Sequence, residues 1–272
     1  MRLAIAAVLL SGITLISGCT KGLPEMPTNL QTVSDRLDAS TPASPLQVVE
    51  VSNAFGSVTL QWGGREDSVR WSLTRRVTGD NESDARAFLA TIQLIRASSA
   101  AGDTLRLSTQ SPVGIQGYSF YSLVTVGVPF GRIPFDSTFR KYVIDGVQGT
   151  TTVADIGTTF SVRNAHAVVV QRANASCDIT SLGGGVVCEI AIPPSGHCTI
   201  SATNGGIVLK LPTNTSASVD AQAAGGTVTY SNLSFNGLNH QGNVLTGTLG
   251  AGNGTIHLQT NGGSIVLQGT VP

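Results

Sequence analysis

Charge is scarce in this chain. Of 272 residues, 16 are Lys or Arg and 16 are Asp or Glu, giving a formal net charge of zero and a charged fraction of 12%. A usual globular composition carries roughly 25%. Without a basic excess there is little to neutralise phosphates, which argues against a nucleic-acid binder. Aromatics make up 5%, with two Trp. The four His (His166, His197, His240, His257) form no HExxH, and none stands three or four residues from another, so no zincin-type ligand pair is present. The Gly strings at 183–185 and 262–263 lead into no GK[ST], which rules out a phosphate loop. Against these shortages stand 32 Gly, many Thr, Ser, Asn and Val, and a hydrophobic fraction of 41%. That is too apolar for wholesale disorder, and it reads as β structure with many turns.

A long apolar run occurs only at the start. Met1-Arg2 leads into Leu3–Leu10 and SGITLIS, ending at Gly18-Cys19. A basic start, an apolar stretch shorter than a membrane span and small residues at its end match an export signal. Ile16-Ser17-Gly18-Cys19 resembles the lipobox of bacterial lipoproteins. That resemblance implies a signal peptide over 1–18, diacylglyceryl transfer to Cys19, cleavage before it and acylation of the new amino terminus. Several acyl chains anchor durably where one does not. Thr20 is not the Asp that retains many such proteins at the inner membrane, so the expected address is the outer membrane. Residues 19–46 are polar and marked by Pro24, Pro27, Pro42 and Pro45, and are expected to be a flexible tether.

From Leu46 onward the chain alternates. Segments 46–53, 57–62 and 68–75 set branched or aromatic residues against polar ones, with Gly between, the pattern of half-buried strands. At Asn81 the period changes. Ala85, Phe88, Leu89 and Ile92 share one helical face, Asn81 or Ser83 can cap, and acids fill the first turn, which predicts one helix over 82–92. Short strands then recur, at 104–109 and, from 141, at 141–145, 151–156, 159–163, 167–171, 176–180, 185–192 and 197–202. Near the end Gly-rich turns precede IVLKL, TVTY, TIHLQ and SIVLQ. A strand plus its turn takes about ten residues, and a fixed cadence of this kind is the signature of stacked rungs. A β-sandwich is the competing architecture. The expected fold is all-β: a β-helix or solenoid of short stacked strands over 47–272, best defined over 141–272, with Gly-rich turns and one short N-terminal helix. Ile207, Leu209, Leu211, Ile256 and Leu258 would point inward, and 207–211 would pair in parallel with 227–231 one coil further on. The stretch 231–246 exceeds the cadence, as a bulging loop or a lengthened strand pair.

In order, the stretches VSNAFGSVTL (51–60), the helix followed by GDTLRL (102–107), ISATNGGIVLKLP (200–212), ASVDAQAAGGTV (217–228) and GTLGAGNGTIHLQTNGGSIVL (247–267) resemble an adhesin-like β-solenoid family of uncharacterised function, common on exported bacterial proteins. The likeness covers about 48–272. It implies a solenoid without an established catalytic set, and a binding surface for an envelope protein or glycan.

The residues suited to chemistry are few. Enzymes on β-helices array acids across adjacent rungs, but residues 190–272 hold one acid, Asp220, and glycosidic cleavage needs two carboxyl groups. Lys210 would align with Tyr230 twenty residues on. Arg65, Glu66 and Asp67 form the other charged group. His257 sits between Ile256 and Leu258 and faces outward, while His197 and Cys198, as strand neighbours, face opposite ways. No catalytic, metal or cofactor residue is assigned. With Cys19 acylated, Cys177, Cys188 and Cys198 allow one bridge and a leftover thiol. Cys188–Cys198 is slightly favoured across the Pro193-Pro194 loop, with Cys177 as the alternative partner. The reading is a non-enzymatic envelope lipoprotein; a carbohydrate-active enzyme on a β-helix is its alternative.

Overall fold

The computed structural model describes residues 30–44, 46–63, 67–111, 118–128 and 141–271. Cys19, the signal segment, the first part of the tether, Arg65 and Glu66 lie outside the described residues.

In chain order the first elements are β1 (Gln31–Pro42), β2 (Val48–Ser52), β3 (Gly56–Trp62), β4 (Ser68–Gly79), α1 (Glu82–Thr91), β5 (Gln93–Ser98), β6 (Thr104–Gln110) and β7 (Ser119–Val128). The middle follows as β8 (Lys141–Asp145), β9 (Thr150–Ala154), β10 (Phe160–Ala165), β11 (Ala167–Asn174), β12 (Cys177–Ser181), β13 (Val186–Ala191), β14 (His197–Ala202) and β15 (Ile207–Pro212). The last are β16 (Ala217–Ala223), β17 (Val228–Ser231), β18 (Phe235–Gln241), β19 (Val244–Leu249), β20 (Gly254–Thr260) and β21 (Ile265–Thr270).

These strands form two sheets. The first, of 10 strands, runs β1-β4-β7-β3-β9-β11-β13-β15-β21-β17; the second, of 11, runs β5-β6-β2-β8-β10-β12-β14-β20-β16-β19-β18. Each coil of the stack gives one strand to each sheet, and neighbouring coils pair in parallel, as β10–β12, β11–β13, β12–β14 and β13–β15 do. A parallel neighbour needs a crossover, and here the crossover is the facing strand of the same coil. The sandwich reading, which needs mainly antiparallel pairs, is set aside.

Period-2 alternation buries one face of every coil in one shared core. In the second sheet the inward file runs Leu105, Val49, Tyr142, Phe160, Cys177, Cys198, Ile256, Val219. In the first it runs Leu60, Val153, Val170, Cys188, Leu209, Leu267. The Gly-Gly corners before β13, β15, β17 and β21 stack on one another without left-handed dihedrals, whereas the corner before β20 uses them at Gly250 and Gly252. A Cβ on Gly263 would come 2.5 Å from the Gly206 nitrogen, and one on Gly226 would come 2.6 Å from the Gly263 oxygen, so a side chain there would push adjacent coils apart.

Chain order and stacking order differ at both ends. The last coil, β20/β21, is inserted between β14/β15 and β16/β17. Ile207 therefore pairs with Ile265, and Ile265 with Val228. The expected direct pairing of 207–211 with 227–231 is corrected: both are parallel to β21, one on each side of it. At the other end β2/β3 sits between β6/β7 and β8/β9. The stack then closes with antiparallel strands, β4 on β7, β1 on β4 and β5 on β6 at one end, β19 on β16 and β18 on β19 at the other. The long stretch after 231 is thus a strand pair. Three of the four sheet ends of the parallel stack are thus covered by antiparallel strands, while β17, paired only with β21, is the edge of the first sheet.

Two further expectations change. The tether expected over 19–46 is strand from Gln31 to Pro42, paired along its whole length with β4. The helix is not N-terminal in the fold; it follows four strands. It is capped as expected, with the Asn81 side chain accepting from the Asp84 N–H at 2.8 Å. Its C-terminal turn holds no basic residue. Buried Arg75 of β4 supplies the cation, donating to the carbonyls of Leu89 (3.0 Å) and Ile92 (2.6 Å) and pairing with Asp35 of β1. Val33, Val77, Ala85, Phe88, Leu89 and Ile92 form a second, smaller core there.

Candidate functional site

The three internal cysteines meet at one place. Cys177 and Cys198 are direct neighbours on β12 and β14, their sulfurs 3.5 Å apart. Cys188 reaches the same point from β13 of the facing sheet, and the three sulfurs lie within 4.8 Å of one another. All are fully buried free thiols. Cys188, expected as the favoured bridge partner of Cys198, faces it across the core rather than from a neighbouring strand. Cys198's in-register neighbour is Cys177, because residues facing each other across the core belong to different sheets. Thiol–thiol hydrogen bonds, which act in both directions within the trio, combine with burial to push all three pKa values well above the ordinary thiol value. Such thiols are poor nucleophiles. Phe160 and Ile256 flank them along the file, which sets the trio inside the packed core.

The histidines stay apart. On the outer face of the second sheet, His197 approaches Asp178 at 3.4 Å and His257 approaches Asp220 at 3.3 Å, all half-exposed. His257 does face outward and Cys198 inward, as alternation requires. Lys210 lies beside Glu189 and Gln268, not Tyr230, which pairs with Leu267 instead. The inserted coil shifts that register.

Two concave surfaces lie at the other end, on either side of the edge strand β1, besides a smaller one of about 270 Å³ at the corner formed by Ile192, Pro194, Pro212 and Thr215. On the outward side of β1 a groove of about 510 Å³ is lined by Arg36, Asp38, Ser40, Gln61, Arg70 and Thr125, among others. Its floor is the outer face of β1, β4, β7 and β3, whose outward positions are polar by alternation. Among the described residues one carboxylate stands on its wall, Asp38, which takes the Arg36 guanidinium at 2.9 Å. On the other side of β1 a groove of about 400 Å³ is lined by Leu37, Ala39, Trp71, Ala90 and Leu94 together with the polar Asp38, Arg75 and Gln93. Arg96 stacks on Trp71, 5.6 Å from the ring centre, a cation–π contact. Sequence reasoning missed both grooves because their common wall, β1, lay in the segment read as tether. The alternation of Val33, Asp35, Leu37 and Ala39 was the available signal.

No protein-family model and no curated protein matches the chain. Among solved structures it is similar to a "putative cell adhesion protein" from Clostridium sporogenes, at 10% identity and a TM-score of 0.42, over 88% of this chain and 100% of that one. It is also similar to a "putative adhesin" from Bacteroides fragilis, at 10% and 0.34 over 86% and 97%. A third, from Parabacteroides merdae, stands at 8% and 0.31 over 87% and 97%. The functional reading below rests on this chain's own residues. Among the described residues no helix is long and apolar enough to cross a membrane.

Proposed function

We propose that this chain is a lipid-anchored protein of the bacterial cell envelope, held at Cys19 in the outer membrane, that works without catalysis as a binding or scaffolding module for an envelope protein or glycan. The observation that carries the non-catalytic part is the polar groove beside β1. It offers guanidinium, hydroxyl and amide groups, and among the described residues its one carboxylate is already paired. Glycosidic cleavage needs two carboxyl groups about 5–9.5 Å apart, whereas holding a polar or acidic chain needs only donors in a fixed array. The anchor is supported by the ISGC ending of the apolar segment.

Two measurements test it. Cys19→Ala should abolish labelling by a fatty-acid analogue and accumulate uncleaved precursor; persistent labelling would end the anchoring claim. The full chain should retain a polyuronate on a binding column without releasing reducing ends, and Arg70→Ala should weaken retention. Steady release of reducing ends would make it an enzyme instead.

A further inference from the structure

The two sheets present unlike faces to solvent. Across the second, one outward row reads Asp178, Thr199, His257, Asp220. The matching row of the first reads Thr152, Val169, Val187, Val208, Val266, Thr229. Four Val stand in register on consecutive parallel strands, and Val187 at their centre is 41% exposed. On one side runs a row of small residues, Ala167, Gly185, Gly206 and Ser264, that leaves the Val methyls uncrowded. On the other side, Glu189 pairs in register with Lys210. Parallel sheets are usually covered on both faces. This one is covered on one.

We propose that the outer face of the first sheet is the contact between two copies of this chain, with a two-fold axis lying along the strands between β13 and β15. Charge selects a second copy over other partners. Rotation about that axis places Val187 over the partner copy's Val208, and Glu189 over its Lys210, while the reciprocal pairs form at the same time. This is the self-complementarity that an isologous interface demands. Area sets the strength. The strands that overlap about this axis are β9, β11 and β13 on one side and β15, β21 and β17 on the other; at about 4.8 Å spacing and roughly 3.3 Å per residue they give on the order of 550 Å² per copy. A standard interface uses about 800 Å² per partner, so this is a small, reversible contact. Aligned sheet-on-sheet packing is the geometry such a face adopts. The inference is independent of the groove beside β1 and of the lipid anchor.

Sedimentation and light scattering of the purified full-length chain in mild detergent should give a dimer at micromolar concentration. Val187→Lys should weaken dimerisation at least tenfold, and Thr199→Lys, at the matching place on the second sheet, should leave it intact. Glu189→Lys should also weaken it, by setting Lys over Lys, and adding Lys210→Glu should restore it. Thermal unfolding checks that each variant remains folded. A wild-type chain that stays monomeric, a dimer that survives Val187→Lys, or a charge swap that fails to restore association would overturn the proposal.

Discussion

The stack from β8 to β21 and the N-terminal end from β1 to β7 hold together by different means. In the stack, identical positions repeat from coil to coil. Files of Ile, Leu and Val run through the core, and Gly corners rest on Gly corners. Any one contact there is ordinary, and its strength comes from the next coil making the same contact. The N-terminal end depends on side chains that occur once. Asn53, fully buried between β2 and β3, donates to the carbonyls of Ser57 and Ser122 and accepts from the Ser122 and Thr109 hydroxyls and the Phe55 N–H. It ties the out-of-order coil β2/β3 to β6 and β7. Arg75 likewise joins β1, β4 and α1 through Asp35 and two helix carbonyls. Repetition stabilises by area, whereas the irregular end is specified by polar groups that each need all their partners.

The largest test of this contrast removes a repeated apolar contact. Leu209→Ala, at a fully buried position, should cost about 2–5 kcal/mol in denaturant unfolding. Lys210→Ala next to it should cost no more than about 0.5 kcal/mol. Equal effects would contradict the inward–outward assignment. Asn53→Ala should cost about 2–3 kcal/mol, since it leaves buried donors and acceptors unpaired. Hydrogen exchange should then rise first in β2, β3, β6 and β7, and uniform loss across the stack would place Asn53 outside that local role. Thr151 offers a change of opposite sign. It lies in the file between Val58 and Val168, fully buried, with its hydroxyl unpartnered. Thr151→Val should therefore stabilise by about 1 kcal/mol, and a loss of stability would mean the hydroxyl is satisfied.

The smallest effect is electrostatic. The hydrogen-bonded Arg172 guanidinium holds the Asp155 carboxyl below its usual value, at 2.7 Å on a well-exposed surface. A depressed carboxylate contributes stability above its unfolded pKa, and that contribution is lost as pH falls through the folded value. Wild type should exceed Asp155→Asn in stability by less than ~1 kcal/mol near neutral pH, given solvent screening, and the two should converge as pH falls below about 4. A gap that persisted in strong acid would implicate another group.

Local chemistry was enough to locate most elements. Alternation of branched and polar residues marked β2, β3, β4, the strands from Lys141 to Pro212, and β17, β20 and β21, because period-2 burial is written directly into neighbouring residues. The helix was legible from Asn81, Asp84, Phe88 and Leu89 for the same reason, with period 3.6. β1 was hidden by its composition: QTVSDRLDASTP is mostly polar because an edge strand buries little, and nothing within it announces a partner more than 25 residues away.

Coil order was beyond the reach of the sequence. Ile207–Leu211, Val228–Ser231 and Ile265–Thr270 carry the same apolar alternation, so any of them could stack on either of the others. The closing hairpin β18–β19 and the return of β20/β21 into the gap decide which do. The same holds for the cysteines, whose meeting point depends on which strands become neighbours and which face each other across the core. The sequence by itself determined where the strongly alternating strands lie, which way their side chains point and that the chain builds coils. Only the tertiary structure decided which coils touch, because parallel pairing joins residues whose separation along the chain is set by the path between them and not by their own chemistry.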